Sequence, residues 1–221
     1  MELPPLSCGA IYGAAAVAVD ESHSALGQVL LLGGRNQNNR STSSVRLVDL
    51  ATGVCTPQAD LLHARAYFAA ARLPDGSIAC AGGDELLSTG KMWGRPVQGA
   101  LDAVWTWREL SAMSVGRNGC SGCVLSDGRF VVLGGSSNSA YTSSCEALTL
   151  GGEEHWLPLP PMHDSRGHFA CAAVAGCIIV AGGYPQRRSA EVYDKVLGRW
   201  LRLPNDLPHG GRIGSMGSAL L

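Results

Sequence analysis

The sequence predicts an all-β protein assembled from repeated units of about fifty residues. Three observations carry that prediction. Glycine is abundant while charge is scarce, a glycine pair recurs behind an apolar run, and a turn signal stands at a fixed place ahead of each later pair. Glycine supplies 29 of 221 residues, about 13% against roughly 7% in an average chain. Charged residues make up 16% and apolar residues 46%, and no long helical stripe interrupts them. That apolar content excludes disorder, and the lack of a three-residue glycine period excludes collagen.

The glycine pairs define the units. They are Leu30-Leu31-Leu32-Gly33-Gly34, Ala79-Cys80-Ala81-Gly82-Gly83, Val132-Leu133-Gly134-Gly135 and Val180-Ala181-Gly182-Gly183, spaced 49, 52 and 48 residues apart. Ahead of each later pair an arginine opens a first strand of small and aromatic residues: Arg65-Ala66-Tyr67-Phe68, Arg117-Asn118-Gly119-Cys120 and Arg166-Gly167-His168-Phe169. In the first unit Gly9 is read at the arginine position. Next come Asp75-Gly76, Asp127-Gly128 and Ala175-Gly176, dipeptides that accept positive φ and link two short strands as a hairpin. A longer insert, Asp20 to Gly27, replaces this turn in the first unit. The apolar run before the glycine pair is the second strand. A third strand ends at Val48-Asp49 or Val192-Tyr193-Asp194, and a tryptophan (Trp156, Trp200) opens a fourth, which closes on prolines such as Pro158, Pro160, Pro161 and Pro204, residues suited to an outer strand leaving a sheet. Unit two is irregular from Leu86 to Val104, with Trp107 as its landmark, and Cys55 replaces the tryptophan in unit one.

Period, glycine pairs, arginine, turn and tryptophan together resemble the kelch repeat over nearly the whole chain. The resemblance implies a kelch-type β-propeller, each unit forming one four-stranded blade around a central axis whose two faces are buried by its neighbours. The expected repeats are 7–63, 64–115, 116–164 and 165–210, with 211–221 starting a fifth. Leu3-Pro4-Pro5-Leu6 resembles the end of an upstream unit. The expected fold is therefore four complete blades plus partial strands at both ends, an incomplete ring from a fragment or shortened form of a longer propeller. The alternative is a four-bladed ring with an overhanging end.

The formal net charge of −1 gives no electrostatic reason to expect nucleic acid or an anionic membrane as partner. Met1-Glu2-Leu3-Pro4-Pro5 lacks the basic and apolar regions of a signal peptide, and the apolar stretch Val174 to Ala181 is too short to span a bilayer. A cytoplasmic protein is expected, with its eight cysteines reduced and acting as small apolar residues. Cys120-Ser121-Gly122-Cys123 has redox or zinc spacing but falls on a first strand, where positions three apart face opposite ways. His63, His163 and His209 lie in the loops between blades, spread around one face. No nucleophile elbow, P-loop or dinucleotide fingerprint occurs, so no catalytic residue, cofactor or metal is expected.

The resemblance implies a protein-binding module that takes a partner protein or peptide, acidic in character, at one mouth of the central channel. Family position assigns that mouth Arg35, Asp84, Ser136 and Tyr184 after the glycine pairs, extended by Asn36 and Gln37, together with Tyr67, Gly119, His168 and Gly214 two places after the arginine. Arginine there offers a planar fork for carboxylates, and tyrosine a stiff amphipathic contact. Many relatives present substrates to a cullin-based ubiquitin ligase through a separate adaptor domain. The competing class is a catalytic kelch propeller acting on sugars, of the epimerase or oxidase kind, whose copper ligands cannot be placed here. The repeat arginines Arg65, Arg117 and Arg166 are expected to hold backbone carbonyls or the acid of a neighbouring blade.

Overall fold

The computed structural model describes residues 11–19, 27–84, 88–94, 105–150, 153–185, 188–204, 207 and 218–220. Four small antiparallel sheets follow one another along the chain as the blades of a propeller. Blade 1 comprises β1 (Ala15–Val19), β2 (Gln28–Leu32), β3 (Val45–Asp49) and β4 (Cys55–Pro57). Blade 2 comprises β5 (Ala69–Arg72), β6 (Ile78–Ala81), β7 (Gly90–Gly94) and β8 (Thr106–Leu110). In blade 3, β9 (Ser121–Val124) and β10 (Phe130–Leu133) are followed by a small ribbon, β11 (Ser136–Ser137) with β12 (Ala140–Tyr141). The sheet then resumes with β13 (Cys145–Thr149) and β14 (His155–Leu159). Blade 4 has β16 (Ala170–Val174), β17 (Cys177–Ala181), β19 (Ala190–Asp194) and β20 (Arg199–Arg202). Above it β15 (Arg166–Gly167) pairs with β18 (Tyr184–Pro185). The segment expected to open a fifth repeat contributes β21 (Ser218–Leu220), which runs parallel to β16 with Ser218 opposite Cys171. No α-helix occurs among the described residues, and none there is long and apolar enough to cross a membrane. The stretch 1–10, the insert 20–26, residues 85–87 and 95–104 of the irregular second unit, His209 and Gly214 fall outside the described residues.

Strand alternation sends each blade's side chains to two faces, and successive blades bury them against one another. Blade 1 gives Val17, Leu30, Leu32 and Val45 to a cluster with Ala70, Ile78, Cys80 and Trp107 of blade 2. Ala69, Ala79 and Ala81 on the other face of blade 2 meet Cys120, Phe130, Val132 and Leu148 of blade 3. Cys123, Val131 and Ala147 of blade 3 meet Cys171, Ile178, Val180, Tyr193 and Trp200 of blade 4. Each large side chain buried this way contributes roughly 1.5–3 kcal/mol. Cys120 and Cys123 thus face different blades, as their spacing requires. Burial pushes the thiols of Cys80 and Cys120 up to about 11 and that of Cys145 up to about 12, so they stay protonated.

The glycine pairs sit where blades approach most closely. A Cβ on Gly33 would lie 2.4 Å from the carbonyl oxygen of Arg65 in the next blade, and one on Gly134 would lie 2.4 Å from that of Arg166. In the first three pairs the second glycine donates its N–H to the arginine-position carbonyl of the next blade: Gly34 to Arg65, Gly83 to Arg117 and Gly135 to Arg166, at 2.8 to 2.9 Å. The tryptophans add an outer tie. Trp107, Trp156 and Trp200 each donate Nε1–H to a carbonyl in the loop leaving the preceding blade, at Ala59, Ser111 and Pro160.

The three repeat arginines are fully buried. In each, Nη1 donates to the carbonyl of the first glycine of its own blade's pair and to a carbonyl just before the third strand: Gly82 and Thr89, Gly134 and Ser144, Gly182 and Ser189. The partnering acid belongs to the same blade rather than to a neighbour. Arg117 pairs with Glu146 at 2.8 Å and Arg166 with Glu191 at 2.7 Å, because the second residue of the third strand points towards the arginine. Those carboxylates also accept N–H bonds from the loop ahead of the arginine, at Ser114 for Glu146 and at His163 and Asp164 for Glu191. In blade 1 the arginine position is filled by Ile11, not Gly9. Tyr12 exchanges backbone bonds with Arg35 as Asn118 does with Ser136, which fixes the residue before Tyr12 as the counterpart of Arg117.

Candidate functional site

The loops expected to form a mouth meet on one face of the blades, where a belt of backbone hydrogen bonds runs between them. Tyr67 N–H donates to Gly13 O, Gly119 N–H to Tyr67 O and His168 N–H to Gly119 O, each at 2.8 Å. All four residues lie two places after the arginine position and hold φ between +54° and +67°. Glycine takes this conformation freely, whereas any other residue is strained by roughly 1 kcal/mol or more. Tyr67 and His168 therefore keep their rings here at a cost. Each ring rests over the glycine of the blade before it: a Cβ on Gly13 would lie 2.7 Å from the Tyr67 ring, and one on Gly119 would lie 2.6 Å from the His168 ring.

The rings form a continuous track. Tyr12 and Tyr67 have centroids 6.4 Å apart, Tyr67 and His168 5.3 Å, and His168 and Tyr184 6.5 Å, the last two pairs close to perpendicular. These are edge-to-face distances. The Arg35 guanidinium lies 5.5 Å from the Tyr67 centroid, within cation–π range. Tyr141, at the end of β12, extends the track over blade 4, where a Cβ on Gly167 would lie 2.7 Å from its ring. Burial against Tyr67 and Tyr184 lowers the His168 pKa below the usual histidine value, which leaves the imidazole neutral at pH 7.

Arg35 is anchored rather than loose. Its Nε and Nη2 both donate to Asp84 Oδ2, at 3.3 and 3.2 Å, and Nη1 donates to Asn39 Oδ1 at 3.0 Å. Asp84 is buried. Its Oδ1 accepts the Ala66 N–H at 2.7 Å, and its Oδ2 also accepts the Ser41 hydroxyl. The acid of blade 2 thus joins blades 1 and 2 instead of projecting outwards. Asn36 is likewise turned into its own loop, Oδ1 accepting the N–H groups of Asn38 and Arg40, while Gln37 stands exposed at the tip of that turn. Ser136 pairs with Tyr141 and exchanges backbone bonds with Asn118.

Of the expected mouth residues, then, Arg35, Tyr67, Asp84, His168 and Tyr184 come together in one network, with Ser136 beside it through Tyr141. Asn36 and Gln37 make the adjoining turn. Two members of the track were not anticipated, Tyr12 and Tyr141, which are 45% and 38% exposed and so offer the most ring surface. Tyr12 also donates its hydroxyl to Asn39. The inter-blade histidines stay apart: His163 Nδ1 lies 2.9 Å from Glu191, and His63 is 3.7 Å from Glu109 in another blade. Among the described residues no group of three or more His, Cys, Asp or Glu side chains is arranged to hold a metal ion.

No family model matches the chain. Among curated proteins it is similar to an F-box/kelch-repeat protein of Arabidopsis thaliana, with 42% identity over 57 residues. That match covers 24% of this chain and 15% of that protein. It is also similar to Kelch-like protein 34 of Homo sapiens, with 31% identity over 130 residues, covering 50% of this chain and 20% of that protein. The chain accordingly spans a fifth or less of the length of these relatives. With its fifty-residue period, glycine pairs seated on the next blade and four sheets in sequence, the chain is a four-bladed β-propeller whose units are similar to the kelch repeats of these proteins.

Proposed function

We propose that this propeller is a non-catalytic binding module that captures a segment of a partner protein on the loop face defined by Tyr12, Tyr67, His168, Tyr184, Tyr141 and Arg35. The observation that carries the reading is the backbone strain at Tyr67 and His168. The belt accepts glycine at this position, as Gly13 and Gly119 demonstrate, so aromatic rings held there against φ of +57° and +54° point to a use for the rings themselves. Tyrosines give large, stiff, amphipathic contact area at small entropic cost. Arg35 supplies the cationic end. A ligand carboxylate displaces the Asn39 side chain from Nη1 while Asp84 continues to hold the other edge of the guanidinium. An acidic residue in the captured segment is the feature this edge selects. The reading places the protein in the cytoplasm, and delivery to a cullin-based ubiquitin ligase would be the work of an adaptor domain outside these blades. The sugar-processing alternative gains nothing from either relative, since both are named for the repeat.

Selection of displayed peptides on the purified chain, followed by titration of the enriched sequences, tests this reading. Tyr12→Ala and Tyr184→Ala are expected to weaken binding by about tenfold or more each, with melting temperatures preserved. Selected peptides should lose affinity when their acidic residue is replaced by its amide. Peptides that bind both variants as tightly as the parent chain would overturn the assignment of this face.

A further inference from the structure

Three cysteines, Cys123, Cys145 and Cys171, lie in the apolar layer between blades 3 and 4, and two of them touch. Cys123 is on β9, the first strand of blade 3, six places after Arg117. Cys171 is on β16, the first strand of blade 4, five places after Arg166. The Ser121 hydroxyl donates to the Phe169 carbonyl at 2.9 Å, which ties the two strands together two residues ahead of the cysteines. Strand alternation returns the same faces two residues further on. Cys123 and Cys171 meet there, and their thiols hydrogen-bond side chain to side chain. That contact, with burial, holds the Cys171 thiol well above its ordinary value, which makes it the donor and the Cys123 sulfur the acceptor. Cys145 is turned away, its S–H donating to Ser143 O at 3.4 Å.

The same two positions recur at the other blade junctions without sulfur. They hold Val17 and Ala70 between blades 1 and 2, and Ala71 and Gly122 between blades 2 and 3. Packing at this point therefore does not require thiols. Cys123 can also be reached. It lines a cavity of about 310 Å³ with Ala18, Ala70, Ala71, Arg72 and Val124, ample for a molecule the size of hydrogen peroxide. Arg72 and Val124 border a second hollow of about 440 Å³ as well, which reaches solvent at the exposed Val174 and Ala175. We propose that Cys123 and Cys171 are a redox modification site, at which hydrogen peroxide converts the two thiols into a disulfide joining blade 3 to blade 4. Peroxide transfers one oxygen to the Cys123 sulfur as its O–O bond breaks, giving a sulfenic acid and one water. The Cys171 sulfur then attacks that sulfur. An S–S bond forms, the S–O bond breaks, and the hydroxyl leaves as a second water with the Cys171 proton. Two electrons pass from the two thiols to one peroxide. The bond spans about one repeat and so constrains the unfolded chain.

Graded hydrogen peroxide on the purified full chain, followed by peptide mapping without reductant, tests the proposal. The expected product is a Cys123–Cys171 link within one chain, reversed by dithiothreitol and accompanied by a rise in melting temperature of about 5–10 °C. In Cys171→Ala, dimedone should trap Cys123 as its sulfenic acid, and peroxide should no longer raise the melting temperature. The double variant Cys123→Val with Cys171→Ala copies the Val17 and Ala70 pair. It should fold as the parent chain does, and its melt should not respond to peroxide, which separates the link from oxidation at the partly exposed Cys55 and Cys177. Oxidation confined to Cys55 and Cys177 overturns the proposal. So does a link from either thiol to any other cysteine, a link found only between chains, or a linked chain that melts no higher than the reduced one.

Discussion

Blades 2 and 4 carry the same buried arginine and treat its charge in opposite ways. In blade 4, Arg166 meets Glu191 with both side chains fully buried, and Glu191 gathers the N–H groups of His163 and Asp164 as well. In blade 2 the position of Glu191 is taken by Lys91, itself fully buried, so two cations share one blade. Lys91 turns outwards to Glu109, whose side chain is 67% exposed, and Arg65 relies on carbonyls, the Thr89 hydroxyl and the ring of Phe68. Blade 1 dispenses with the arginine, placing Ile11 there. The fold therefore does not depend on the ion pair. It depends on apolar faces, close glycine contacts and the backbone belt, and the pair is a local solution to burying an arginine that already has carbonyls to bind.

The contrast is sharpest when the acid of blade 4 is removed. Glu191→Ala leaves Arg166 buried without a counter-charge and is expected to cost about 3–5 kcal/mol, read as a fall in urea midpoint. Replacing the pair together, Arg166→Ile with Glu191→Val, should cost less than the single change, because blade 1 already accepts isoleucine there. A double variant no more stable than Glu191→Ala would break the comparison. In the opposite direction, Lys91→Glu gives Arg65 the partner its counterparts have, and a gain on the order of 1–2 kcal/mol is expected from a charge-assisted bond in a buried site. A loss of stability would show that blade 2 is built around its lysine. Trp107→Phe, Trp156→Phe and Trp200→Phe each remove one indole N–H bond to a carbonyl, at a cost of about 1 kcal/mol. Near-equal losses in thermal melts would confine the blade difference to the arginine. The smallest effect is in pH. Although burial opposes it, hydrogen bonds from the His163 and Asp164 N–H groups, Arg166 and the His163 ring lower the Glu191 pKa below that of a free glutamate. Its contribution is then present above the unfolded value and is lost as pH falls through the folded one. Melts between pH 6 and pH 3 should show a shallower decline in Glu191→Gln than in the parent chain.

Much of this was legible in the sequence because a repeat states each rule several times. The pairs at Gly33, Gly82, Gly134 and Gly182 marked the blades, and the offset from the arginine placed Tyr67 and His168 on the same face. Where the repeat is broken, reading failed. Blade 1 lacks the repeat arginine and carries an insert before its second strand, so counting landed on Gly9, and only the exchange between Tyr12 and Arg35 identified Ile11. Tyr12 and Tyr141 escaped notice for a related reason. Tyr12 occupies a position held elsewhere by Ala66, Asn118 and Gly167, and Tyr141 lies on a ribbon described in blade 3 alone. Repetition gave neither a weight. A usable signal was present, since Tyr12 directly precedes the belt position. Glu146 and Glu191 were recognisable as acids but not as partners, because the choice between own and neighbouring blade depends on which face of the third strand they occupy.

The belt of main-chain bonds from Gly13 to His168 has a consequence for how binding preference changes over time. Since the belt itself is made of amide and carbonyl groups, the side chains displayed along it are lettering on a frame that does not read them. Exchanging Tyr67 or His168 for glycine should relax the backbone and erase the contact without loosening the scaffold. Placing a ring at Gly119 would demand that His168 give up its seat. Recognition on this surface can therefore be rewritten only in coordinated steps around the ring, one neighbour making room for the next.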